Sequence, residues 1–204
     1  MNIHSHPASY RKNMDNKREL IFRATETIIA SKGLQGLSMQ QIANEAGVAA
    51  GTIYRYFKDK EELVSELRKH VLREVASHIL VNCQEGDLEQ RFKRIWFNII
   101  EFGRQRTPAN LSYEQYLHLP GVDSDPHQTF EKDTFLGLHH IFEAGRIDGT
   151  FHNLQNKVMF AISLEPAMAL GRSIRRGQIE YDKNELVTVC DLCWKTLLKQ
   201  PEST

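Results

Sequence analysis

The chain predicts an all-α fold of about nine helices, three in an amino-terminal helix-turn-helix domain and six after it. Three observations predict this. Apolar residues recur three and four positions apart along most of the 204 residues, the spacing of a helix with one buried face. No stretch of strand length alternates apolar and polar residues, and there is no internal repeat or low-complexity tract. Capping residues, glycines and prolines punctuate the pattern where helices should start and stop.

Residues 1–14 read as a polar, flexible tail. Arg11 and Lys12 could form a basic arm for a minor groove or simply be solvated. His4 and His6 lack further metal ligands. Asn16 and Glu19 have capping-box spacing and open a helix carrying Leu20, Ile21, Ala24, Ile28 and Ile29 on one side, with Gly33 as a left-handed stop. Ser38, with Gln41 three residues on, starts a second helix, whose apolar face is Met39, Ile42, Ala43 and Ala46. Gly47 supplies the positive φ of a tight turn. Ala49, Ala50 and Gly51 begin a short third helix with little side-chain bulk, and Ile53 and Phe57 point back to the core. A long helix runs from Lys60 to about Cys83, with Leu63, Leu67, Val71, Val75 and Ile79 inward. It is the expected connection between the two parts, and its first turn could offer backbone N–H groups to a phosphate.

Beyond a turn at 85–87, helices are expected over 88–106, 109–119, 125–145, 153–177 and 182–199. Asp125-Pro126 is a helix start, and Asp182 with Glu185 is another capping box. Pro166 should kink its helix and free the carbonyl of Ile162. The expected domains are therefore a tail at 1–14, a helix-turn-helix domain at 15–59, a connecting helix at 60–83 and a final domain at 84–204.

The outer face of the third helix carries Thr52, Tyr54, Arg55 and Tyr56, followed by Lys60. Hydroxyls, a guanidinium and an ammonium are phosphate and base partners. A helix-turn-helix sets its second helix in the major groove of double-stranded DNA, and small residues at that helix start let the backbone approach. The alternative is a three-helix packing unit without DNA contact; Tyr54, Tyr56, Phe57 and Lys60 together argue against it.

The run Leu37-Ser38, Ile42-Ala43, Ala46-Gly47-Val48, Gly51-Thr52-Ile53-Tyr54, Tyr56-Phe57, Lys60 and Leu63 resembles the signature of TetR/AcrR-family transcriptional regulators. Ser38 stands where Thr is common, and Ala49 where Ser is common. The resemblance covers about the first third of the chain. It implies a DNA-binding repressor with three DNA-binding helices and six regulatory and dimerisation helices, released from its operator by a small molecule. It carries DNA contact onto Ser38, Ala49, Ala50, Gly51, Thr52, Tyr54, Arg55, Tyr56 and Lys60.

Composition agrees with that class. Net charge is zero overall, but residues 1–75 hold 12 Lys and Arg against 9 Asp and Glu, and the remainder 14 against 17. Placement of charge, rather than its sum, governs approach to DNA. No run reaches the 18–20 or so apolar residues of a membrane span, and the amino terminus lacks a signal-peptide layout, so a cytoplasmic protein is expected. Cys83, Cys190 and Cys193 are an odd count without metal spacing; the last two read as buried small hydrophobes. No cofactor or metal is expected.

In the second part Trp96, Glu114, Tyr116, His139, Phe142 and Glu165 are the candidate ligand contacts. Gly103, Gly137 and Gly145 would leave space beside large rings, as pockets between helices require. Glu165 interrupts an apolar run at the Pro166 kink; a buried carboxylate needs a partner, either a cationic ligand or Arg172 or His139. The expected ligand is therefore small and hydrophobic or cationic. Phe160, Leu164, Met168, Leu186, Val189, Cys193, Trp194 and Leu197 form a second apolar surface for a homodimer, which sets two half-sites about 34 Å apart. Two alternatives stay open: a DNA-binding dimer without an inducer, and a helical enzyme or carrier, for which no nucleophile–base pair, phosphate loop or metal quartet is present.

Overall fold

A computed structural model describes the backbone of residues 7–105, 111 and 113–199 and the side chains of 16–105, 111 and 115–199. Among these residues the chain is all helical: eleven α-helices, a 3-10 turn at Leu34–Gly36 and one isolated bridge between Phe151 and Leu198. The helices are α1 (Pro7–Lys32), α2 (Met39–Glu45), α3 (Ala50–Ile53), α4 (Lys60–Ile79), α5 (Leu88–Gln105), α6 (Tyr113–Leu117), α7 (Asp125–Thr134), α8 (Leu136–Ile147), α9 (Asn156–Ser163), α10 (Glu165–Arg175) and α11 (Lys183–Lys195).

Several boundaries differ from expectation, each for a local reason. Helix α1 starts at Pro7, well before the capping pattern at Asn16. Proline is pre-organised for a first helical turn, so the expected tail is helical from there on. The side chains of Arg11 and Lys12 lie outside the described residues, as do His4 and His6. Helix α4 ends at Ile79 rather than Cys83, because α5 side chains take its last carbonyls. Asn98 Nδ2 donates to Ile79 O and Val81 O at 3.1 Å, and Arg91 Nε to Cys83 O at 2.9 Å. Asn82 turns the chain with φ 56°.

The expected helix over 125–145 breaks at Phe135 (φ −102°, ψ 26°) into α7 and α8. Gly145, expected to stop it, lies inside α8. The expected helix over 153–177 breaks at Leu164 into α9 and α10, and Gln155 rather than Asn153 precedes it. Pro166 cannot donate to the Ile162 carbonyl; Thr196 Oγ1 lies 3.5 Å from that oxygen while bonding the Cys193 carbonyl at 2.7 Å. The Asp182 cap is present, its Oδ1 accepting from Asn184 N at 3.2 Å.

The chain divides into two units, residues 1–71 with 107–128 and residues 72–106 with 129–204. This corrects the expected domain at 84–204: residues 107–128 group with the amino-terminal helices. Glu26, buried on α1, accepts from Leu111 N at 3.3 Å, and Gln115 Nε2 donates to Ala30 O at 3.2 Å. Helix α4 is also not the sole continuous element, since the division falls within α7 as well.

The first unit is built on Ile21, Phe22, Ile28, Ile42, Ile53, Phe57, Leu63 and Leu67, all buried. Phe22 lies 5.4 Å from Phe57 and stacks on His70 at 4.5 Å. Leu20, expected inward, is exposed. The second unit centres on Phe92, Ile95, Trp96 and Ile99 of α5 against α8 to α11. Trp194 packs on Phe92 and Phe151 at 5.4 and 5.2 Å. Lys93 joins α5 to α11 through Asp191 at 2.7 Å.

Candidate nucleic-acid interface

The α2–turn–α3 segment is formed by short-range bonds that its own residues supply. Ser38 Oγ accepts from Gln41 N at 3.2 Å and caps α2. Gly47 has φ 65°. Val48 N donates to Ala43 O at 2.9 Å and Gly47 N to Asn44 O at 3.2 Å, the paired bonds of a Schellman stop. Ala49 precedes α3 and offers no side-chain cap, as its missing hydroxyl requires. Thr52 N donates to Ala49 O at 2.7 Å. Buried Ile53 and Phe57 anchor the segment from beneath.

What faces outward is small, polar or cationic. Ala49 and Gly51 are exposed and Ala50 and Thr52 half-buried. A Cβ built on Gly51 would meet nothing within 4 Å. Tyr54 is 58% exposed and Arg55 exposed. Tyr56 is half-buried, its ring 6.5 Å from Phe57, and Lys60 is half-buried at the first position of α4. The structure thus brings Ala49, Ala50, Gly51, Thr52, Tyr54, Arg55 and Tyr56 together on one short segment, with Ser38 exposed at the α2 start.

The α4 amino terminus differs from expectation. Asp59 Oδ1 accepts from Glu62 N at 2.8 Å, and Glu62 Oε2 accepts from Lys58 N at 2.6 Å. One first-turn donor that was expected to meet a phosphate, Glu62 N, is thus held by Asp59, and the Glu62 carboxylate holds Lys58 N just before the helix. The spacing Asp59-x-x-Glu62 was in plain view as a capping box. Lys58, exposed beside it, is a cation the sequence reading passed over.

The candidate ligand contacts divide between the two units. Trp96 and Phe142 are buried in the second unit's core. His139 Nδ1 accepts from Asn156 Nδ2 at 2.5 Å; burial first, then Lys132 and Arg146, push its pKa down. Glu165 is exposed in the first turn of α10, where a carboxylate suits the helix dipole. It is therefore not the buried carboxylate expected. The Glu114 side chain lies outside the described residues. Tyr116 belongs to the first unit, where its hydroxyl and His127 Nε2 share a hydrogen bond at 2.7 Å. The glycines leave no space beside rings: a Cβ on Gly145 would stand 2.2 Å from Phe151 Cδ2, and one on Gly103 3.2 Å from Gly171 Cα.

The apolar surface also changes. Leu164, Leu186, Cys193, Trp194 and Leu197 are buried within the chain's own core, while Phe160, Met168 and Val189 are half-buried. The exposed large apolar residues of these helices are Val158 and Ile162 on α9 and Val187 and Leu192 on α11. Burial pushes the Cys190 thiol up to about 12 and the Cys193 thiol up as well, so both stay protonated. No helix among the described residues is long and apolar enough to cross a membrane.

A capped helix, a left-handed glycine turn and a small-residue second helix with exposed hydroxyls and cations define a helix-turn-helix protein. Residues 21–67 match the tetR family of bacterial regulatory proteins, and residues 87–198 match the Tetracyclin repressor-like, C-terminal domain. The chain belongs to the TetR family of DNA-binding transcriptional regulators. A TetR-family regulator from Vibrio parahaemolyticus is 34% identical and superposes with a TM-score of 0.78, over 90% of this chain and all of that one. A TetR-family regulator from Haemophilus influenzae is 26% identical with a TM-score of 0.79, over 92% of this chain and 99% of that one. An HTH-type transcriptional regulator of the same organism is 28% identical over 89% of this chain and 95% of its own length.

Proposed function

We propose that the protein is a homodimeric repressor of a pseudo-palindromic operator, released by a small hydrophobic ligand in its second unit. The observation that carries the DNA half is the outward set of α3: Gly51 with open space where a Cβ would stand, flanked by Thr52, Tyr54 and Arg55. In this reading Ala50, Gly51 and Thr52 meet base edges, and Tyr54, Arg55, Tyr56, Lys60 and Lys58 anchor phosphates. The exposure of Glu165 removes the reason to expect a cationic ligand. Release by a ligand acts through its differential affinity for two states, about 1.4 kcal/mol for each tenfold loss of DNA affinity. Helix α4, continuous from Lys60 past Val71, is the element through which we infer that it acts.

Val158, Ile162, Val187 and Leu192 support the pairing surface. Thr196 lies one turn after Leu192, at the end of α11, and its Oγ1 is 3.5 Å from the Ile162 carbonyl, so Ile162 and Leu192 share one edge. Replacing Val187 and Leu192 by Glu should raise the concentration needed for self-association in sedimentation; unchanged association would move the surface elsewhere.

The occupied places beside two glycines favour a second reading, a DNA-binding dimer without an inducer. Phe151 occupies the place beside Gly145, and Gly171 that beside Gly103. One experiment separates the readings: titration on the gene's own upstream DNA at several salt concentrations, repeated with a panel of apolar compounds. Salt-dependent binding released by one compound class supports the inducible repressor. Binding released by none supports the second reading. Absence of any specific site in a genome-wide selection sinks both. In the same assay Lys60→Ala should flatten the salt slope; an unchanged slope removes Lys60 from the contact set.

A further inference from the structure

We propose that Arg68, Tyr116 and His127 form a binding site for a small oxyanion, the carboxylate or phosphate group of an effector, within the amino-terminal unit. All three side chains are buried, at 8%, 7% and 3% exposure. They come from α4, α6 and α7, and all lie within the one unit.

Arg68 is the reason to look for an anion. Its guanidinium stays charged in proteins, and burial of a charge requires a paired and hydrogen-bonded environment. Yet Nε has no hydrogen-bond partner, and Nη2 makes one long bond to Ser65 Oγ at 3.3 Å. No carboxylate ion pair to it is present among the described residues; Tyr116 is the neighbour that favours its charged form. A buried cation of this kind is unfavourable unless something neutralises it.

The surroundings suit an oxyanion. Gly121, at φ +77°, lies against the guanidinium: a Cβ there would stand 3.1 Å from Nη2 and 3.2 Å from Nη1. Arg68 can present parallel N–H donors in the fork that carboxylate and phosphate accept. Tyr116 Oη and the His127 ring, hydrogen-bonded at 2.7 Å, add a hydroxyl and an imidazole. The field is positive: after burial itself, Arg68 and Lys69 are what depress the His127 pKa. Bound negative charge would reverse that.

The position matters for regulation. Arg68 lies on α4 two turns after Lys60, and α6 and the α7 start belong to the same unit as α2 and α3. An anion here reports directly to the DNA-binding unit. The site is independent of the inducer reading above, and its test does not involve DNA.

The test is thermal unfolding of the full chain in sodium phosphate, sodium acetate and sodium chloride at matched ionic strength. The wild type should gain about 3–6 °C in phosphate or acetate over chloride at roughly ten times the dissociation constant. Which salt acts distinguishes a phosphate from a carboxylate. Arg68→Met should unfold no lower than wild type in chloride, because it removes an unpaired buried charge, and should lose the anion response. Tyr116→Phe should fold and respond more weakly. NMR of the His127 ring should show its pKa rising when the effective anion is added. Equal melting in all three salts, or an anion response that survives Arg68→Met, overturns the site.

Discussion

Glycine does opposite work in the two units. At Gly51 the missing Cβ faces open space on the outer side of α3, so smallness keeps that face approachable. At Gly145 and Gly103 the missing Cβ is already replaced by a neighbour, the Phe151 ring in one case and the Gly171 backbone in the other. The difference teaches that a small residue signals close approach without saying who approaches. On α3 the visitor comes from outside the chain; on α5 and α8 it is the chain itself.

The largest effect should come from filling an occupied place. Gly145→Ala drives a methyl into the Phe151 ring and should cost about 1–3 kcal/mol, as overpacking does, read from urea unfolding. DNA affinity of the folded fraction should not change. A neutral outcome would mean that Phe151 can swing away and that space exists there after all. Next comes Asp59→Ala, which removes the α4 cap and should cost about 1 kcal/mol. The same change removes a negative charge beside Lys58 and Lys60, so DNA affinity should rise or hold while stability falls. A fall in affinity would mark Asp59 as an organiser of the contact rather than a cap alone.

Gly51→Ala has the opposite sign. Alanine in an open helical position should stabilise by about 0.5–1 kcal/mol, while its methyl stands on the approaching face and should weaken operator binding. Gained stability with undiminished binding would remove Gly51 from the DNA face.

The gentlest probe is pH. His127 and His139 both have pKa values held below 6.5, by burial first and then by neighbouring cations: Arg68 and Lys69 for His127, and Lys132, Arg146 and His140, against Glu143, for His139. The unfolded chain then binds more protons than the folded one. Stability should be full above about 6.5 and fall as pH drops through that value towards the lowered folded pKa values. The thermal midpoint from pH 8 to 5 checks this. A midpoint that rises on acidification would contradict the sign.

The α2–turn–α3 segment was legible because everything it needs lies within a few residues. Ser38 caps with its own hydroxyl, Gly47 turns because it lacks a Cβ, and Ile53 and Phe57 are one turn apart. The second part was legible as helix but not as surface. Leu164, Leu186 and Trp194 look, in sequence, like Val158, Ile162 and Leu192; only packing separates core from exposed edge. Glu165 looked buried because its neighbours are apolar, but α10 begins there and points it to solvent. Arg68 stands on the buried stripe of Val64, Leu67 and Val71, a signal that could have been read as a buried cation.

The sequence by itself determined the helical class, the capped and glycine-turned DNA segment and the TetR-family resemblance, because helix caps, tight turns and amphipathic stripes are local physics. Tertiary structure alone decided that residues 107–128 join the DNA-binding unit, that Phe151 and Gly171 fill the glycine gaps, and that Arg68 meets Tyr116 and His127. Most of those outcomes depend on contacts between residues tens of positions apart, such as Gly103 with Gly171 and Glu26 with Leu111, whose energies no short window of sequence contains, and even the nearer pair Gly145 and Phe151 meets only because the chain turns back after α8.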